Sequence, residues 1–417
     1  MKNLRTFAIL SHLVYLCTET SARLEDCTAG QDGEHCRATL RPIIKLQQPD
    51  ESGASTTLNV SRDETSNEPG SIVTLELPDG TKLRRITLSR KPVAYEFPEF
   101  LNASEVEELL RLAEAKGLQP SFTQRVGEAT EVRLQDVNGD GYYDMDDIRL
   151  SVENVFDLYL QQNDVRAMYD HFGLDLDKDG RVTFAEIKSR LNSPKDFADY
   201  MLAVKHQQPD RRGRVSEHTW LFPDLDPDPF VQRLTKRIGM ILNLPRSLMN
   251  KSDIQIVHYG EGGFYNLHRD SGPVLEAVPC CTRSSIKPNP QQCRSCRWAT
   301  LLIYLNDVSN RGAGGETAFA IADDDHYDDS KFRARFPMDL HYSCSDANVR
   351  IGAVAGKAVL WYNHLNTTST DGWLGAEDPF SYHGSCPVTN GHKWVANYWI
   401  KVTDDRLFDL EPTWPEW

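Results

Sequence analysis

The sequence predicts an α+β chain: an antiparallel β sandwich or jelly roll, entered through a helix and interrupted by an all-α insertion. Three observations predict it. From Ile254 onward the chain is short β-type runs separated by Gly, Asn and Asp, among them "IQIVHY", "ATLLIYLND", "KAVLWYNHL" and "KWVANYWIKV". Many short strands with turn residues between them read as a sandwich or jelly roll. Upstream, "FLNASEVEELLRLAEAKG" repeats its apolar residues at helical spacing, and between about 118 and 205 the chain turns acidic and helical.

At 417 residues there is room for two or three domains. The net charge of -15 speaks against a nucleic-acid partner, which would require a basic face. The N-terminal string "MKNLRTFAILSHLVYLCTETSARLEDC" sets Lys2 and Arg5 ahead of a short apolar run, Phe7 to Cys17, and then Thr20, Ser21 and Ala22. That is the layout of a secretory signal peptide over residues 1–22, and the run is too short to span a bilayer comfortably. Membrane contact follows only if this segment stays on as an uncleaved anchor. Nine cysteines are present. With Cys17 in the leader an even number remains, as a disulfide framework needs. Sequons begin at Asn59, Asn102, Asn250 and Asn366. Together these features place the chain in the secretory pathway, with the endoplasmic-reticulum lumen as the expected address.

Residues 23–70 are polar and aperiodic and predict a segment with no fixed fold, in which Cys27 and Cys36 can close a small loop. "SIVTLELPDGTKLRRITL" alternates around Pro78-Asp79-Gly80 and predicts a hairpin. In the next helix Ser104 and Glu107 form the expected capping box. Val106, Leu109, Leu110 and Ala113 share a face, and Gly117 stops it. "DPFVQRLTKRIGMILNL" predicts another helix. The expected organisation is one domain built from 71–117 and 206–417, with 118–205 inserted into it.

Two loops in the insertion carry cation chemistry. "DVNGDGYYDMDD" places oxygen ligands at Asp136, Asn138, Asp140, Asp144 and Asp147, with the Tyr142 carbonyl between them and Gly141 at the sixth position. "DLDKDGRVTFAE" offers Asp175, Asp177, Asp179, Thr183 and Glu186, the Arg181 carbonyl, and Gly180 at the sixth. This is the EF-hand pattern. A hard cation such as Ca2+ needs six or seven oxygens, and the glycine allows the turn that gathers them. The first loop ends in Asp147 where Glu is usual, so it is expected to be the weaker site. An acidic surface loop is the bland alternative, and the second loop fits the pattern too fully for it.

The string "HYGEGGFYNLHRD" ends in His268-x-Asp270. Alone, such a pair is usually a solvated strand end. As half of a facial triad it requires a second His downstream, and "SYHGSCPVTNGHKWVANYWI" offers His383, followed by Lys393. Two imidazoles and one carboxylate, leaving open positions, suit Fe(II). A buried cation nearby suits the far carboxylate of a 2-oxo acid.

"YGEGGFYNLHRD", "RWATLLIYLNDV", "GGETAF", "GKAVLWYN" and "SYHGSCPVTNGHKWVANYWI" together resemble the prolyl 4-hydroxylase branch of the Fe(II)/2-oxoglutarate dioxygenases. The likeness runs from about Arg84 to Val402, through "KPVAYEFPEFLNASEVEELLRLAEAKGLQPS" and "SEHTWL". With paired EF-hands between those two strings, it is strongest for the endoplasmic-reticulum form, a type II membrane protein. The cleavable look of this N-terminus departs from that. The resemblance implies a double-stranded β-helix (jelly-roll) dioxygenase domain with an inserted EF-hand pair. It implies Fe(II) on His268, Asp270 and His383, and 2-oxoglutarate on Lys393, helped by Thr317, Tyr259, Tyr304 and Trp399. Tyr265 and Arg297, with Trp399, would lie near the substrate proline. The implied activity is hydroxylation of peptidyl proline at C4, coupled to decarboxylation of 2-oxoglutarate to succinate, with ascorbate restoring iron after uncoupled turnover. The partner is then a proline-containing peptide or protein, and a homodimer is left open.

His258, His364 and His392 fit no ligand slot and read as ordinary polar residues. Cys280 and Cys281 followed by Cys293 and Cys296 have knuckle-like spacing for zinc. In an oxidising compartment disulfides within this cluster are the preferred reading, leaving Cys344 and Cys386 to pair. Two other functions stand beside the hydroxylase: a hydroxylase of another residue type, and a calcium-responsive binding protein on a disabled scaffold. Intact ligands and Lys393 favour an enzyme.

Overall fold

The computed structural model describes residues 68–121, 134, 136, 139–190, 194–223, 225, 228–272, 278–281, 293–308, 313–328, 339–366 and 372–410. The expected signal peptide, nearly all of the polar segment, Cys27, Cys36, Asn59 and Asn138 lie outside the described residues.

The chain opens with β1 (Ile72–Glu76) and β2 (Lys82–Arg90), an antiparallel pair about the Pro78–Gly80 turn, and continues into β3 (Val93–Phe97). Then comes α1 (Ala103–Lys116). Its cap is Asn102, not Ser104. The Asn102 carboxamide oxygen accepts from the Glu105 N–H at 3.0 Å, and the Glu105 carboxylate accepts from the Asn102 N–H at 3.0 Å. Starting there also lets Glu105 pair with Arg237 at 2.6 Å, an ion pair that a cap at Ser104 would not organise.

After β4 (Gln119–Pro120) come the helices α2 (Met145–Phe156), α3 (Gln162–Phe172), α4 (Phe184–Arg190) and α5 (Pro194–Gln207). β5 (Arg214–Val215), β6 (Glu217–Leu221), α6 (Pro229–Leu242) and α7 (Arg246–Met249) follow. The remaining strands are β7 (Ile254–Tyr259), β8 (Phe264–His268), β9 (Arg297–Tyr304), β10 (Thr317–Phe319), β11 (Val349–Ile351), β12 (Ala358–Tyr362), β13 (His383–Ser385) and β14 (Lys393–Lys401).

Among the described residues the strands build two antiparallel sheets. The nine-stranded one has the order β1-β2-β3-β12-β9-β14-β7-β6-β4, the five-stranded one β11-β10-β13-β8-β5. Val257, Leu302, Tyr304, Trp361 and Val395 from the large sheet pack with Phe319 and Ile351 from the small one in a single buried cluster. Side chains alternate along each strand, so this inner face is where functional groups can stand in a dry cavity. β4 adds its edge to the large sheet through Gln119 opposite His218. The sheet therefore reaches past the boundary expected at Gly117.

Helices α2 to α5 have a core of their own, including Ile148, Val152, Phe156, Val165, Met168 and Phe197. They join the sheets beside β5. Gly213 donates to the Asp157 carbonyl at 3.1 Å, Tyr159 donates to the Arg211 carbonyl at 2.8 Å, and Arg211 pairs with Asp164 at 2.6 Å. Gly213 is required here, because a Cβ would lie 2.2 Å from the Asp157 carboxylate.

The clustered cysteines form disulfides, Cys280–Cys296 and Cys281–Cys293, and a third joins Cys344 to Cys386. Among the described residues no helix is long and apolar enough to cross a membrane.

Candidate active site

The antiparallel register of β8 and β13 sets His268 directly opposite His383, and their rings lie 4.5 Å apart between centroids. Each ring is oriented from behind. His268 Nδ1 hydrogen-bonds the Asn266 carbonyl at 2.8 Å, and His383 Nδ1 the Ser381 carbonyl at 2.9 Å. A ring nitrogen facing a carbonyl carries a proton, so in a neutral ring it is Nε2 that presents the lone pair. Burial holds His383 neutral, its pKa pushed down to about 4 against the pull of Asp270.

Asp270 turns back toward the pair, 3.7 Å from His268 Nε2 and 3.6 Å from His383 Nε2. These gaps are too long for hydrogen bonds and leave room for one cation about 2 Å from each donor, an ordinary metal–ligand distance. Burial alone would raise the Asp270 carboxyl, but His383, His268 and Arg297 hold it well below the usual carboxylate range. It is therefore ionised, as a ligand must be.

Lys393 begins β14 opposite Tyr259 and is 1% exposed. Its ammonium donates to Ser385 Oγ at 2.8 Å and reaches Thr317 Oγ1 at 3.4 Å. Tyr304 donates to Thr317 at 2.8 Å. The Tyr259 and Tyr304 rings flank the ammonium at 5.5 and 5.7 Å. Burial depresses the Lys393 pKa to about 7, with Glu316 pulling it back up. β13 carries both His383 and Ser385, two positions apart and so on one face. His383, a member of the trio, and Ser385, which accepts from the Lys393 ammonium, thus share one face of β13.

Tyr265 stacks on His268 with centroids 3.6 Å apart, and burial lifts its phenol to about 12. The Arg297 guanidinium lies 3.8 Å from the Trp399 ring centre and donates to the Asp270 carbonyl at 3.1 Å. Trp399 also contacts Trp220 at 5.7 Å. It therefore stands with Arg297 and Trp220 rather than beside Lys393. This corrects its expected place in the 2-oxo-acid cradle, and the reason is distance along the same strand.

In the insertion, the Tyr143 and Val182 backbones exchange hydrogen bonds at 2.8 and 2.9 Å and hold the two loops together. Asp175, Asp177 and Asp179 converge, with one ligand atom from each within 4.8 Å of the others. Asp175 Oδ1 is buried without a hydrogen-bond partner. In the first loop Asp136 accepts from Gly139, Asp140 and Gly141. Asp144 with Asp147, and Thr183 with Glu186, cap the following helices reciprocally. The backbone carbonyls of Tyr142 and Arg181 lie within the same two turns.

Residues 254–401, the span that holds the trio and Lys393, match the profile of the 2OG-Fe(II) oxygenase superfamily. Over that span the chain is similar to the 2OG-Fe(II) oxygenases. Over 337 residues it is 33% identical to transmembrane prolyl 4-hydroxylase of Homo sapiens, covering 77% of this chain and 65% of that protein. The Mus musculus protein of the same name is 32% identical over the same length. Prolyl 4-hydroxylase subunit alpha-3 of Rattus norvegicus is 29% identical over 187 residues, 45% of this chain and 26% of that one. The chain thus spans 65% of the length of the transmembrane prolyl 4-hydroxylases it matches.

The site holds its carboxylate with groups that sequence reasoning missed. Thr300 donates to Asp270 Oδ2 at 2.7 Å, Asn363 to Thr300 at 3.0 Å, and the Trp361 indole to Asn363 at 3.0 Å. His364 is no ordinary polar residue: it is fully buried and lies 2.7 Å from Ser271, next to Asp270. Arg269 pairs with Glu377 at 3.0 Å. Asp270 is thus gripped on both sides. Arg214 lies over the Tyr265 ring at 4.6 Å and donates to Ser216 Oγ at 2.7 Å. His258 stays outside the site, 4.3 Å from Trp394 and 5.8 Å from the exposed His392. One signal was available for Thr300: a lone polar residue inside the apolar run "ATLLIY".

Proposed function

We propose that this protein is an Fe(II)- and 2-oxoglutarate-dependent dioxygenase that hydroxylates peptidyl proline at C4. The observation that carries the reading is the convergence of two imidazoles and one ionised carboxylate, with a buried ammonium bonded to the strand that carries one of them. That donor set fits Fe(II), and the ammonium fits the distal carboxylate of a 2-oxo diacid. Iron, when bound, supplies dioxygen activation with 2-oxoglutarate as the electron source.

The chain's own residues supply the rest. His268, Asp270 and His383 would hold the iron through their three converging donor atoms. Lys393, Ser385 and Thr317 would anchor the cosubstrate by its far carboxylate, so that its orientation is set before reaction. Tyr304 fixes the Thr317 hydroxyl. Arg297 and Trp399, with Tyr265 stacked on His268, offer aromatic faces against which a proline ring can lie. The names of the relatives supply the choice of proline.

Calcium belongs to the same reading. The unpartnered Asp175 oxygen, amid Asp177 and Asp179, favours a cation in the loop 175–186, and the Asp136 loop is the weaker site. The disulfides favour an oxidising lumen. Replacing His268, Asp270 or His383 by Ala should abolish succinate release from 2-oxoglutarate, with circular dichroism unchanged. Near-normal succinate from any one of them would refute the ligand set.

A further inference from the structure

Of the sequons in the chain, Asn102-Ala103-Ser104 and Asn250-Lys251-Ser252 lie wholly within described structure, and the fold treats them differently. Asn102, Ala103 and Ser104 are all exposed. The Asn102 side chain is divided in its use. Its Oδ1 accepts from the Glu105 N–H at 3.0 Å and from Ser104 Oγ at 2.7 Å. Its Nδ2 has no partner among the described residues. Asn250 is the reverse case. Its Oδ1 is buried without a partner. Ser252 is fully buried and accepts from the Lys401 N–H at 3.1 Å.

We propose that Asn102 carries an N-linked glycan in the folded protein and that Asn250 does not. The inference rests on the lumenal reading given above. In the transfer, the Asn102 amide nitrogen attacks the anomeric carbon of a lipid-diphosphate-linked oligosaccharide. The N–C bond forms, the C–O bond to the lipid diphosphate breaks, and the amide loses one proton to the transferase. Transfer takes place on a chain not yet folded, so the folded state decides which glycan is tolerated. At Asn102 the modified nitrogen faces water while the unmodified oxygen still caps α1. At Asn250 a glycan would have to leave a packed position.

The test is site occupancy in full-length protein from a secretory eukaryotic host. Peptides are released after enzymatic deglycosylation in heavy-oxygen water and read by mass spectrometry. Label at Asn102 in most molecules, with none at Asn250, supports the proposal. Asn102→Asp and Ser104→Ala should each remove one glycan's mass from the intact protein and leave helix content unchanged, since Asp caps as well as Asn. A bare Asn102 with glycans on Asn59 or Asn366 overturns the proposal and leaves the lumenal reading intact. A bare chain throughout overturns both. Stoichiometric label at Asn250 in soluble, folded protein overturns the contrast between the two sites.

Discussion

Lys393→Met should weaken 2-oxoglutarate binding about 10- to 100-fold. The ammonium sits in a dry cradle, 2.8 Å from Ser385 and 3.4 Å from Thr317. A hydrogen bond to a charged group contributes about 1.5–3 kcal/mol, and roughly 1.4 kcal/mol is a factor of ten. The pH dependence is the sharper test. With the cradle empty, burial lowers Lys393 to about 7 from 10.5. A bound carboxylate favours the charged form and raises it again. Binding should therefore take up about 0.9 proton at pH 8 and about 0.1 at pH 6, and affinity should fall about tenfold per pH unit above 7. Calorimetry in buffers of differing ionisation enthalpy, on metal-loaded protein, reads the uptake directly. Lys393→Arg keeps its charge throughout and should flatten the profile. In the empty protein the sign is equally defined. Between pH 7 and 10.5 the unfolded chain binds more protons at this residue, so its penalty is full below 7 and is relieved as pH rises. No proton uptake at pH 8, or unchanged affinity in Lys393→Met, would refute the assignment.

Thr300→Val removes the 2.7 Å hydrogen bond to Asp270 and should lower metal affinity about 10- to 100-fold. Thr300→Ser should restore most of it, as metal titration can show. Gly213→Ala places a Cβ 2.2 Å from the Asp157 carboxylate, so it should lower the melting temperature and perturb β5. Asp157→Ala in the same chain should relieve it, and a purely additive double mutant would count against this contact as the cause. Glu186→Gln should weaken calcium binding and lower thermal stability more than Asp147→Asn, because the 175–186 loop is the better site. Equal effects on calcium-dependent melting would remove that ranking.

The parts legible in the sequence are those where chemistry restricts residue type. His268-x-Asp270, His383 and Lys393 could be read because a metal and a diacid demand such groups in a fixed order. The strands could be read because alternation is local. Thr300, Ser385 and His364 could not, because a polar residue in or beside a strand looks the same whether it meets water or Asp270. Only register settles it: Thr300 stands opposite Trp361 on one side and Trp399 on the other. The cap of α1 was misplaced because Asn102 and Ser104 both stand three residues before a Glu. In the structure it is Asn102, whose partner Glu105 also pairs with Arg237, far away in the chain. Trp399 was misassigned because sequence offers strand membership, not position along the cavity.

The most direct test of the central claim is to identify what the metal-loaded protein makes from a proline-containing peptide. With iron, 2-oxoglutarate, ascorbate and dioxygen, amino-acid analysis of the peptide should show 4-hydroxyproline, with at least as much succinate released from 2-oxoglutarate, both absent in Asp270→Ala. Succinate without 4-hydroxyproline across a broad peptide library, or hydroxylation confined to another residue type, would contradict it.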